Sequence, residues 1–180
     1  ARLVCLIFLL FNSLLPSLSY ADENSWLELN TKAEQFYSSG KMDSALYYAE
    51  AAKVRAEKEF GNLDTNYARS LNILAILLEN CGRYEEAEST YTEIVKIVEI
   101  HFGREHILYG LILNNFAQLN TSMGKYDEAE DRYNRALKIW IGKFGEKSPN
   151  TASIIDNLAD LYHRTGKYEK AEPLFKKSLN

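Results

Sequence analysis

Apolar residues return at helical spacing along most of this chain. Near residue 160 they fall at Ile155, Leu158, Ala159 and Tyr162, and after an interruption at Ala171, Leu174, Phe175 and Leu179. Recurrence at three and four residues predicts two amphipathic helices separated by a short break. The break, Thr165-Gly166-Lys167, reads as a helix stop, because glycine accepts the left-handed conformation that ends a helix at little steric cost. The same pairing predicts helix A at about 24–38, 65–80, 107–122 and 150–164. Helix B follows at about 42–59, 84–101, 126–143 and from 168 onward. Each helix B carries an apolar stripe, as at Tyr91, Ile94, Val95 and Val98.

The pairs repeat in register. Gly40, Gly82, Gly124 and Gly166 are spaced 42 residues apart, and Lys41, Arg83, Lys125 and Lys167 follow them. Met42, Tyr84, Tyr126 and Tyr168 come next, and three residues later Ala45, Ala87, Ala129 and Ala171. Ala33, Ala75, Ala117 and Ala159 stand seven residues before each glycine. The two alanine series predict close approach of the helices in a pair, which only small side chains permit. Acids in the first turn of helix B (Glu85, Glu86, Asp127, Glu128, Glu169) suit the positive end of that helix. Phe60-Gly61, Phe102-Gly103 and Phe144-Gly145 close helix B, and Ser148-Pro149-Asn150 opens the next unit. One helix pair cannot bury both faces, whereas stacked neighbours can.

These residues carry a resemblance. Asn157-Leu158-Ala159-Asp160-Leu161-Tyr162, followed by Gly166-Lys167-Tyr168-Glu169-Lys170-Ala171-Glu172-Pro173-Leu174-Phe175, resembles the tetratricopeptide repeat. More narrowly it is similar to the 42-residue form of kinesin light chains and of many bacterial repeat proteins. The resemblance implies an all-α fold, a right-handed α-solenoid of stacked antiparallel helix pairs. It covers repeats at about 24–61, 65–103, 107–145 and 150–180 of an array spanning 22–180. Against the family's usual period of 34, it implies a helix B longer by about two turns, roughly 12 Å. The family's helix B aromatic maps to Tyr91, Tyr133 and Phe175, but the first repeat has Ala49 there. Phe36 also stands where the others carry Leu78, Asn120 or Tyr162, so the first unit is the least typical, as an end cap should be. The chain stops at Asn180 inside a fourth helix B, which predicts that the native protein continues.

The first residues break this pattern. Arg2, the apolar run Leu3 to Leu15, Pro16 and the small or polar Ser17 to Ala21 read as a signal peptide over 1–21. The run is too short for a membrane span, which needs roughly 20 residues. The expected localisation is therefore periplasmic or secreted if the leader is cleaved, with no stable membrane insertion, and N-terminally membrane-anchored if it is kept. Cys5 lies in the leader, leaving Cys81 alone and excluding an intramolecular disulfide. The full chain carries a formal charge of −4 and no basic tract, so nucleic acid is not an expected partner.

No catalytic or metal constellation emerges, and no cofactor is expected. His101 and His106 flank a predicted helix end without metal-ligand spacing, so a surface or capping role is the reading for them. The Gly-Lys pairs lack the Ser or Thr of a phosphate-binding loop. Asn120-Thr121-Ser122 is a formal glycosylation sequon inside a predicted helix.

The resemblance places ligands along the inner, concave face of helix A. By position these residues are Asn30 and Glu34 in the first repeat, and Arg69, Asn72 and Asn80 in the second. The third supplies Asn114, Asn115 and Gln118, and the fourth Asp156, Asn157, Asp160, His163 and Arg164. An amide donates and accepts at once, so an asparagine ladder suits the backbone of an extended peptide. The expected function is a non-enzymatic scaffold that binds a protein or extended peptide. The rival expectations are the regulatory repeat region of a larger enzyme or sensor, such as one with a C-terminal caspase-like (CHAT-type) peptidase, and a structural spacer.

Overall fold

The computed structural model describes residues 25–178, and every regular element among them is an α-helix. In chain order these are α1 (Trp26–Ser38), α2 (Met42–Phe60), α3 (Thr65–Asn80) and α4 (Tyr84–Phe102), then α5 (Ile107–Ser122), α6 (Tyr126–Phe144), α7 (Pro149–Arg164) and α8 (Tyr168–Ser178). Odd numbers are the expected A helices and even numbers the B helices. The leader expected at 1–21, with Cys5, lies outside the described residues.

One turn joins every A helix to its B helix. At the end of α5, Gly124 takes φ 75°, its N–H donates to the Thr121 carbonyl at 3.1 Å, and the Lys125 N–H donates to the Asn120 carbonyl at 2.8 Å. This Schellman closure satisfies carbonyls that a helix end leaves open. The same two bonds close α1 through Gly40 and Lys41, α3 through Gly82 and Arg83, and α7 through Gly166 and Lys167. A methyl group at these glycines would meet nothing within 4 Å, so the positive φ alone makes the demand. The next helix starts at once, with the Ala129 N–H on the Lys125 carbonyl at 3.0 Å. No side chain caps α2 or α6, and the acids of their first turns face the helix dipole instead. Turns back to an A helix vary more. Asp64 caps α3, Pro149 opens α7, and His106 caps α5, its Nδ1 accepting from the Leu108 N–H at 3.2 Å.

The described residues divide after Ile97 into two compact units. In the first, α1 packs on α2, α2 on α3, and α1 also touches α3. α2 buries only alanines (Ala45, Ala49, Ala52 and Ala56), so larger residues come from its neighbours. Leu29 of α1 and Leu71, Leu74, Leu77 and Leu78 of α3 supply the bulk. Trp26 stands edge-on to Phe60 at 5.4 Å and donates its Nε1 hydrogen to Ser70 Oγ at 2.6 Å. α1 differs from the other A helices on one face. Glu28, Lys32 and Gln35 occupy the register of Ser70, Leu74 and Leu77, all three buried in α3, and of Ile154, Leu158 and Leu161, buried in α7. That polar face has nothing to hide, which is the physical content of an end cap.

In the second unit α5 packs on α6, α6 on α7, α7 on α8, and α5 also touches α7. Ala117 and Ala129 have no exposed surface and stand at comparable distances from the α5–α6 turn. At the far end of the pair the close approach is set differently. A Cβ on Gly110 would come within 3.0 Å of the Trp140 ring, so the glycine makes room for the indole. In the first repeat the same two register positions hold Trp26 and Ala56, so the large residue is on helix A instead.

Glu130 of α6 ties this unit together. Its carboxylate accepts from Tyr162 at 2.8 Å and from Lys167 at 3.0 Å, with Lys170 at 3.6 Å. Burial pushes its pKa up, but the bonds from Lys167 and Tyr162 and the lysine charges outweigh it and hold the carboxyl below the ordinary 4.5. Burial and the bond to Glu130 push the Tyr162 phenol up to about 12. A depressed carboxylate pKa stabilises the fold above the unfolded value, and that increment is lost as pH falls through the folded one. Glu130→Gln should therefore cost about 1 kcal/mol at pH 7. In urea titrations the gap from the parent should narrow as pH drops below 4.5. A pH-independent gap would show that shape rather than charge matters there.

Candidate functional site

The residues expected to meet a ligand lie on A helices, but they are not equally available. In the first unit Asn30 departs from expectation. It has no exposed surface, and its Nδ2 donates to the Trp26 carbonyl at 3.0 Å and to Ser70 Oγ at 3.1 Å. Asn30 is a buried link from α1 to α3, so it is removed from the ligand-contacting set. Glu34 is exposed, and Asn72 is half-buried. Arg69 is exposed with its guanidinium 5.7 Å from the Trp26 ring centre. Asn80 is exposed, but its amide already donates to the Ile76 carbonyl at 2.7 Å and reaches the Tyr37 hydroxyl at 3.5 Å. Tyr37, 40% exposed, is a surface aromatic outside the expected set. It shares a register position with His163, and that was the available signal.

The second unit brings its amides together. Asn157 Nδ2 of α7 donates to Asn114 Oδ1 of α5 at 3.0 Å, and Asn114 Nδ2 donates to Asn115 Oδ1 at 3.3 Å. All three residues are half-buried, so the chain of amides lies at the surface between two A helices. Leu111, Asn114, Asn115 and Gln118 share one face of α5 by their spacing. Leu111 is 36% exposed, and Gln118, two turns further along the helix, is exposed as well. On α7, Asp156 is exposed, while Asp160 is paired with Arg164 at 2.6 Å. His163 is exposed and stands edge-on to Tyr168 at 5.3 Å.

Asn30 and Asn114 occupy the same register position yet end differently, and their neighbours explain it. Asn30 meets Ser70, which is small and accepts a hydrogen bond. In α7 the register of Ser70 is held by Ile154, 3% exposed and apolar. Isoleucine offers no acceptor, so Asn114 pairs with Asn157 and stays near water.

Among the described residues no group of three or more His, Cys, Asp or Glu converges as metal ligands, and no helix is long and apolar enough to cross a membrane. Cys81 is a half-buried cysteine thiol at the end of α3. Asn120 of the formal sequon is 1% exposed, so the folded unit withholds it from glycosylation.

The tetratricopeptide repeat profile matches residues 66–141 and 108–180. Among curated proteins none matches the chain in sequence. Several solved structures share the fold, an all-α helical-repeat solenoid. BtubC (BKLC) from P. vanneervenii superposes with a TM-score of 0.77 at 23% identity, over 89% of this chain and 67% of that one. A putative kinesin light chain with nearly identical repeats, from Podosopora anserina, gives 0.73 at 17% identity, over 94% and 78%. A Rap protein complexed with competence and sporulation factor gives 0.73 at 18% identity, over 94% of this chain and 44% of that one.

Proposed function

The chain belongs to the tetratricopeptide repeat family, and from that premise we propose a non-enzymatic scaffold whose A-helix surface holds an extended polypeptide. The observation that carries this reading is the amide chain Asn157–Asn114–Asn115, half-open to water on adjacent A helices. Asn114 and Asn157 each spend one N–H on the chain and keep another. A peptide backbone in extended form presents alternating donors and acceptors that such groups can match whatever its side chains are. That a Rap protein of similar fold was solved with competence and sporulation factor bound is in keeping with this use of the fold. From the leader pattern at 1–21 we further propose export if the leader is cleaved and an N-terminal membrane anchor if it is kept.

The test is selection from a displayed library of random decapeptides on the immobilised protein, followed by affinity measurement of the enriched peptides. Combined Asn114→Ala, Asn115→Ala and Asn157→Ala should weaken them about 100-fold, at about 1 kcal/mol per lost hydrogen bond. Circular dichroism checks that the variant keeps its helices. Undiminished affinity in a folded triple variant sinks the amide reading.

A further inference from the structure

Asp156 breaks the amide series. It stands at the register of Asn30, Asn72 and Asn114, where the earlier A helices carry a side chain that both donates and accepts. A carboxylate only accepts, so this one position cannot pair with a backbone carbonyl. It asks for a donor, and a charged one satisfies it best.

The surrounding charges leave that demand unmet. Asp160, one turn on, is already neutralised by Arg164 at 2.6 Å. Arg164 is eight residues from Asp156, about 12 Å along the helix axis, and is committed to Asp160. Lys167 and Lys170 are held by Glu130. Asp156 itself is exposed and has no ion-pair partner among the described residues. Its sequence neighbour Asn157 begins the amide chain to α5, so a backbone held there would pass beside the carboxylate. On α5 the same surface offers Leu111, 36% exposed, one turn before Asn114 and Asn115.

We infer that the segment taken by this face is a cationic extended peptide, with a Lys or Arg side chain seated on Asp156 and an apolar side chain against Leu111. The inference rests on the proposed role of the amide chain and adds the chemistry of the occupant. Amides fix the direction and spacing of the strand, and the Asp156 carboxylate selects among strands.

Two fluorescein-labelled nonapeptide pools test it, identical in their degenerate flanks, with Arg fixed at the centre of one and Glu at the centre of the other. Binding to the full chain is read by anisotropy at low ionic strength. The Arg pool should bind about 10-fold more tightly, with the advantage shrinking as salt is added. Asp156→Asn should level the pools, and Asp156→Lys should reverse their order, while circular dichroism stays unchanged. Equal binding of both pools to the parent, or an Arg preference that survives Asp156→Asn, overturns the cation seat. If both pools bind equally and the triple asparagine variant loses both, the amide chain stands as the binding surface without the cation seat. Binding of neither pool overturns both.

Discussion

Ala117→Leu should lower the stability of the second unit by about 3 kcal/mol, the upper end of what overpacking costs. Ala117 has no exposed surface, and Ala129 across the α5–α6 pair has none either. Three extra carbon atoms at that point have no void to enter, because protein interiors are packed as densely as organic crystals. The helices must separate, and the contacts of Phe116 and Leu119 with the rest of the core separate with them. Trp140 emission during urea unfolding, in a Trp26→Phe background, isolates the second unit. A midpoint unmoved by the substitution would mean that the alanines do not set the helix spacing.

Leu119→Ala should cost about as much by the opposite route, roughly 2–5 kcal/mol for a buried leucine whose cavity cannot collapse. Leu119 is 0% exposed on α5, whereas Leu111 on the same helix is 36% exposed. Leu111→Ala should stay within about 0.5 kcal/mol of the parent. The contrast matters for function as well as folding. If Leu111 belongs to a binding face, its removal weakens peptide capture without touching stability. Comparable destabilisation by both substitutions would contradict the placement of Leu111 at the surface.

Much of this architecture was legible because its determinants are local. The A-to-B turn depends on one positive φ and two main-chain bonds, so a glycine in register announces it. The alanine series announces close helix packing for a similar reason, since only small residues allow it. Asn30 was misplaced because its fate is decided by a residue 40 positions away. Ser70, standing where Ile112 and Ile154 stand in later repeats, was the clue. A polar residue at an apolar register position signals a buried hydrogen bond, and its partner is the residue that disappears from the surface. The pairing of Gly110 with Trp140 was hidden likewise, because helical periodicity reports which face a residue is on and says nothing of complementary size across a pair.

The four A-to-B closures share one backbone path, made of main-chain groups and one conformationally free residue, with no dependence on neighbouring side chains. A stretch of 42 residues cut at any of these closures begins and ends in the same local geometry. Unequal recombination between such points copies or deletes a whole repeat and leaves every joint intact. Array length can therefore drift in descent without a new loop having to be invented. Each gained or lost repeat changes the row of A-helix side chains and requires size matches such as Gly110 with Trp140 to be remade across the new pair, so the same event that alters size also rewrites what the surface can hold.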